Sequence, residues 1–177
     1  GIAIDLYLHS QESLKSVSPL LLNYEMLHGY QVLWGPQDLL SPMPRFEVSD
    51  VPLEEGTRLL MNRGRLLLQI QTPSNQDLQI KYAKFLLKNY LAFGDCVLLM
   101  TGGYDIFYYV KSERIHEALE KLKVPDAAWM ECMYKRAIAF RNTGNLDLLL
   151  QMNVLKEMET LRDYFPQFLF WQYKSCF

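Results

Sequence analysis

Cysteine is scarce. Cys96, Cys132 and Cys176 are widely spaced, odd in number and form no CxxC pair, so they do not read as a disulfide framework. Histidine is equally sparse. None of His9, His28 and His116 stands at ligand spacing with a cysteine, which leaves a structural zinc site without support. The cysteines read as reduced thiols of a cytoplasmic protein, with Cys96 and Cys132 packed inside helices. An excess of one charge sign is also missing: 18 basic residues face 20 acidic ones, a net charge of -2. That balance argues against a general nucleic-acid or membrane-surface binder. No long apolar run occurs. The most apolar stretch, residues 85–100, carries Lys88, Asn89, Gly94 and Asp95 and is too polar for lipid. Signal-peptide patterning is absent. So are GxxxxGKS/T, GxGxxG after a strand, HExxH and GxSxG. Gly102-Gly103-Tyr104 is too short for a phosphate loop.

What is present suits a packed core, since 50% of the 177 residues are hydrophobic. The length fits one ordinary domain, or a small piece of one joined to a helical domain. Residues 2–8 are short, β-branched and apolar, and read as a buried strand. The chain starts at Gly1 inside this run without an initiator Met, so the natural protein is expected to be longer at its N-terminus. Residues 19–27 suit a short helix. Residues 30–33 suit a second strand closed by Trp34-Gly35-Pro36, and residues 41–50, with Pro42 and Pro44, suit a linker. Beyond it the pattern is helical. Pro52 stands as a first helical residue, with Glu54 and Glu55 in the first turn where the helix dipole favours acids. That helix runs to Thr72-Pro73. Ser74 with Asp77 approximates a capping box for a helix reaching about residue 100 and stopped by Gly102-Gly103. Its apolar stripe is Leu78, Tyr82, Phe85, Leu86, Phe93 and Val97. An aromatic loop over 103–110 precedes a helix capped by Ser112. Two more helices follow, at 127–141 and 146–164, the last interrupted near Pro166. The expected fold is mainly α, α+β overall: an up-and-down bundle of about five helices behind a small α/β segment with one or two strands.

Three features offer chemistry. Asp5 is a carboxylate inside a buried strand, which is costly unless it is paired or binds a cation. Strand-borne aspartates hold magnesium in phosphoryl- and nucleotidyl-transfer sites; a solvated aspartate at a strand end is the plainer reading. Lys81, Lys84, Lys88 and Asp95 fall along one side of a helix, where lysines can meet phosphates or form an ordinary solvated face. Asp95, among Phe93, Cys96, Val97, Leu98 and Leu99, calls for a partner, with Arg63 or Lys84 as candidates. Arg63, among leucines, pairs with such a carboxylate or faces a ligand anion. Tyr104, Phe107, Tyr108 and Tyr109 form an aromatic cluster that anchors a loop or stacks on a base. The C-terminus is aromatic as well, with Phe165, Phe168, Phe170, Trp171, Tyr173 and Phe177. It is expected to dock on the bundle or to form a homodimer contact.

These residues resemble a family. Ile4-Asp5-Leu6-Tyr7, Tyr24-Glu25-Met26-Leu27 and Val32-Leu33-Trp34-Gly35 look like the end of a small nucleotidyltransferase domain, in which a late strand carries the third metal-site aspartate. Lys88 to Leu99, followed by Gly103-Tyr104, is similar to a K-x-x-x-A-x-G-D-x-L-L pattern in the helical domain attached to such transferases. Leu59-Leu60-Met61-Asn62-Arg63 is similar to the helix preceding it. The Gly-Ser and Asp-x-Asp element that defines the superfamily is absent here. The resemblance implies a partial α/β segment over 1–45 and a helical domain over 46–177. It implies Asp5 as a catalytic, magnesium-binding carboxylate, completed by upstream residues, and Arg63, Lys88, Asp95 and Tyr104 on the substrate wall. The implied reaction is metal-assisted attack of an unidentified acceptor on the α-phosphate of a nucleoside triphosphate. The alternative is a non-catalytic helical module for protein interaction or dimerisation.

Overall fold

A computed structural model describes residues 8–176. By its contacts the chain divides into two compact units, Gly1–Pro52 and Leu53–Phe177. Among the described residues the secondary structure is helical and no strand occurs. The expected strand at residues 2–8 lies almost wholly outside the described residues. The expected strand at 30–33 is corrected: this segment is bent and extended chain, with Leu33 and Trp34 about nine-tenths exposed. A strand needs a neighbour to take its backbone hydrogen bonds, and the described part of this unit supplies none.

The first unit holds α1 (Gln11–Leu14) and α2 (Leu21–Gly29). Ser10 caps α1 by accepting from the Ser13 amide at 3.0 Å. Leu14, Leu40 and Met43 make a small core with Val17, Met26 and Leu27 against it. The expected linker at 41–50 is therefore folded. Met43 and Phe46 are buried, and the Phe46 carbonyl lies 3.0 Å from His28 Nε2. The segment ends in a 3-10 turn, Val48–Asp50, closed by a reciprocal capping box between Glu47 and Asp50.

The second unit comprises α3 (Glu54–Gly64), a 3-10 turn (Arg65–Gln69), α4 (Gln76–Thr101), α5 (Tyr108–Leu122), α6 (Ala127–Thr143), α7 (Leu146–Leu150) and α8 (Val154–Cys176). The helix α4 runs through its middle, and α3, α5, α6, α7 and α8 all pack on it. Asn75, one residue beyond the expected Ser74, caps α4 through the Leu78 amide. Gly102 ends it in the left-handed region at φ 70°, and the Gly103 amide reaches back to the Leu98 carbonyl.

Several boundaries differ from expectation. The helix expected from Pro52 to Thr72-Pro73 spans only Glu54–Gly64 and passes into the 3-10 turn Arg65–Gln69. The helix α5 starts at Tyr108, four residues ahead of Ser112, because Asp105 Oδ1 accepts from the Phe107 amide and turns the chain into the helix. The helix α8 is not interrupted at Pro166 but runs through it. Phe93 of α4 takes Tyr164, Phe165 and Phe168 edge-on, with centroids at 5.3, 5.6 and 4.9 Å, and this packing holds the turn on either side of the proline. The break falls earlier, between Leu150 and Val154, where Met152 is buried and Asn153 Oδ1 caps α8 through the Lys156 amide.

Candidate functional site

The later turns of α4 are enclosed on all sides, with every residue from Ala92 to Leu99 buried. Asp95 lies in this stretch. On an isolated helix it would share a side with Lys88, seven residues away. In the folded unit Lys81, Lys84 and Lys88 are exposed while Asp95 is buried, because side chains from α5 and α6 close over the later turns. Lys111 Nζ of α5 lies 3.2 Å from Asp95 Oδ1, and the Tyr134 hydroxyl of α6 donates to the same oxygen at 2.6 Å.

Gly94 makes the approach of Tyr134 possible. A Cβ on Gly94 would lie 2.2 Å from the Tyr134 ring, so a side chain there would displace α6 from α4. Lys111 Nζ also sits 3.8 Å from the centroid of the buried Tyr104 ring and 5.2 Å from that of Tyr108. The ammonium thus has a carboxylate on one side and aromatic faces on the other. Burial, followed by the Asp95 charge and the hydrogen bond to it, holds the Tyr134 hydroxyl well above the usual tyrosine range. Tyr134 therefore stays a donor. The arrangement is closed: the Lys111 and Asp95 side chains are 3% and 12% exposed. It can fix α4, α5 and the preceding loop to one another, and it offers little surface to a solute.

Asp95 and Tyr104 are thus brought together through Lys111. The expected pairing of Asp95 with Arg63 or Lys84 is not formed; Lys111 and Tyr134 take those places. Neither was singled out from the sequence. Lys111 stood between the loop read over 103–110 and the helix expected from Ser112, although a buried acid in need of a partner was legible. Tyr134 carried no local signal, because only the fold sets it against Gly94.

Arg63 and Lys88 lie apart from this cluster. Arg63 is half-buried at the end of α3, and Lys88 is exposed on α4. Asn89 Nδ2 donates to the Arg63 carbonyl at 3.1 Å and to the Phe85 carbonyl at 2.9 Å. The last turn of α3 is therefore tied to the Lys88–Asn89 turn of α4. Asn89 Oδ1, also buried, has no partner among the described residues.

Asp5 lies outside the described residues. Among the described residues no group of three or more His, Cys, Asp or Glu side chains could hold a metal ion, so these residues do not fit a magnesium centre. Cys96 is buried as expected, whereas Cys132 is exposed on α6; it falls on the side of α6 opposite Tyr134, which faces α4. No described helix is long and apolar enough to cross a membrane. No family model, curated protein or solved structure matches the chain.

Proposed function

We propose that the helical unit forms a phosphate-facing wall of a nucleotidyltransferase-like protein, with Arg63 and Lys88 meeting a nucleoside triphosphate and the acceptor held on the same side. The observation that carries this reading is the Asn89 hydrogen bond to the Arg63 carbonyl. It ties together two segments, Leu59 to Arg63 and Lys88 to Leu99, that separately resemble the helical domain of such transferases. Arg63 supplies a planar fork for phosphate oxygens, and Lys88 a point charge. Asp95 and Tyr104 act here as positioning residues, holding α4 against α5 through Lys111. Any magnesium belongs to carboxylates beyond the described residues, Asp5 first among them.

Calorimetric titration of ATP in magnesium buffer tests the reading. We expect measurable binding, weakened about tenfold by Lys88→Ala and by Arg63→Ala, the size of one lost charge-assisted hydrogen bond. Lys81→Ala, two turns away from Lys88, should leave it nearly unchanged. Absence of binding, or an affinity indifferent to both substitutions, would sink the reading. The non-catalytic interaction module would then stand, favoured by the exposed Phe170 and Tyr173 on α8.

A further inference from the structure

A cleft of about 560 Å³ opens between the first turns of α3 and the last turns of α8. That volume lies within the range of small-molecule sites, which pair apolar walls with a few fixed polar groups. Leu53, Met61, Leu169 and Tyr173 supply the apolar walls, Thr57 and Gln172 a neutral polar pair, and Glu54 and Arg58 the charged groups. Gln172 is 4% exposed. Its Nε2 donates to Thr57 Oγ1 at 2.9 Å, which fixes the amide plane across the two helices. Gln172 lines the cleft, and its Oε1 accepts no hydrogen bond from the described residues. A buried amide held on one edge and open on the other is a prepared acceptor. The Thr57 hydroxyl, already accepting from Gln172, has its own proton to give. The cleft therefore presents one acceptor and one donor side by side, between an aromatic ring and aliphatic side chains.

We propose that this cleft binds a small aromatic molecule carrying a carboxamide or lactam group. Such a group gives an N–H to Gln172 Oε1 and takes the Thr57 hydroxyl proton on its carbonyl, while its ring lies against Tyr173, Leu53 and Leu169. Exchanging the nitrogen and oxygen of the Gln172 amide reverses the direction of each bond and leaves the demand for a paired donor and acceptor unchanged. Arg58 lines the cleft with its charge engaged by Glu55, and Glu54 adds a carboxylate to the lining, so an uncharged head group is favoured over a carboxylate. This site is separate from the Arg63–Lys88 edge and independent of the triphosphate reading.

The test uses 2-naphthamide and, as its partner without donor or acceptor, 2-methylnaphthalene, with binding followed by protein-observed NMR on the full chain. We expect 2-naphthamide to shift the amide signals of residues 53–61 and 169–173 and to bind at least tenfold more tightly than 2-methylnaphthalene. Gln172→Leu should abolish that preference while leaving the hydrocarbon's binding unchanged. Thr57→Val, an exposed substitution that spares the core, should reduce the preference by a smaller factor and serves should the first variant fold poorly. Equal binding of the two probes, shifts outside the cleft, or no binding would overturn the proposal. So would sedimentation showing a dimer that covers Met61 and Tyr173.

Discussion

Asp95 illustrates how one buried charge organises its surroundings. With Lys111 and Tyr134 in place it is satisfied; alone it would be costly to bury, and so would the lysine left behind. We expect Asp95→Ala to destabilise the protein by about 3–5 kcal/mol, the usual consequence of removing one member of a buried pair. Lys111→Met should cost a similar amount. The double substitution should cost clearly less than the sum of the two, because each single change strands the other's partner. Urea unfolding of the four proteins measures this, and additive losses would contradict the pairing. That Asp95 needs a partner was legible from its apolar neighbours. Which partner it takes was not, because Lys111 and Tyr134 reach it from other helices and only packing brings them there.

At the scale of elements, the helices of the second unit were largely legible, because caps and apolar periodicity are local properties. Glu54, Glu55 and Gly102 mark ends that the fold uses. Pro166 misled because its local cost is real but its neighbours outweigh it. A proline inside a helix lacks one N–H and crowds the preceding turn, at about 3 kcal/mol. We therefore expect Pro166→Ala to stabilise the protein by about 2 kcal/mol after allowing for the freer unfolded chain, read as a raised urea midpoint. A lowered midpoint would mean that α8 depends on the ring.

The contact between α5 and α6 should also respond to pH. His116 Nδ1 lies 2.9 Å from Glu131 Oε2. The hydrogen bond to Glu131, then the charges of Glu131 and Glu120, raise the histidine above its ordinary value, against burial and Lys135. Glu131 is lowered, first by its hydrogen bond from Lys135 and then by that from His116. A raised histidine contributes stability that is full below its unfolded value and is lost as pH rises through the folded one. The lowered carboxylate contributes above its ordinary range and loses that contribution as pH falls through the folded value. We expect the wild-type advantage over His116→Gln to be present in mildly acidic buffer and to fade as the buffer turns alkaline. A difference between the two that stays flat across that span would contradict it.

For the whole molecule, the mainly helical character was legible in the sequence, while the small strand-bearing segment was not borne out among the described residues. Strands depend on neighbours, and residues 30–33 have none there. The candidate site was legible in part. Four residues were drawn from one resemblance, and the fold sorts them into two places: Asp95 and Tyr104 around buried Lys111, and Arg63 with Lys88 at the junction of α3 and α4. Linear spacing put Lys88 and Asp95 on one helix side and could not foresee that α5 and α6 cover only one of them. The most direct measurement is to map ATP on the protein by amide chemical shifts in magnesium buffer. We expect the perturbed residues to cluster around Arg63 and around Lys88–Asn89, with the neighbourhood of Lys111 and Tyr134 undisturbed. Shifts confined to other surfaces, or none at all, would contradict the proposal that this edge faces the triphosphate.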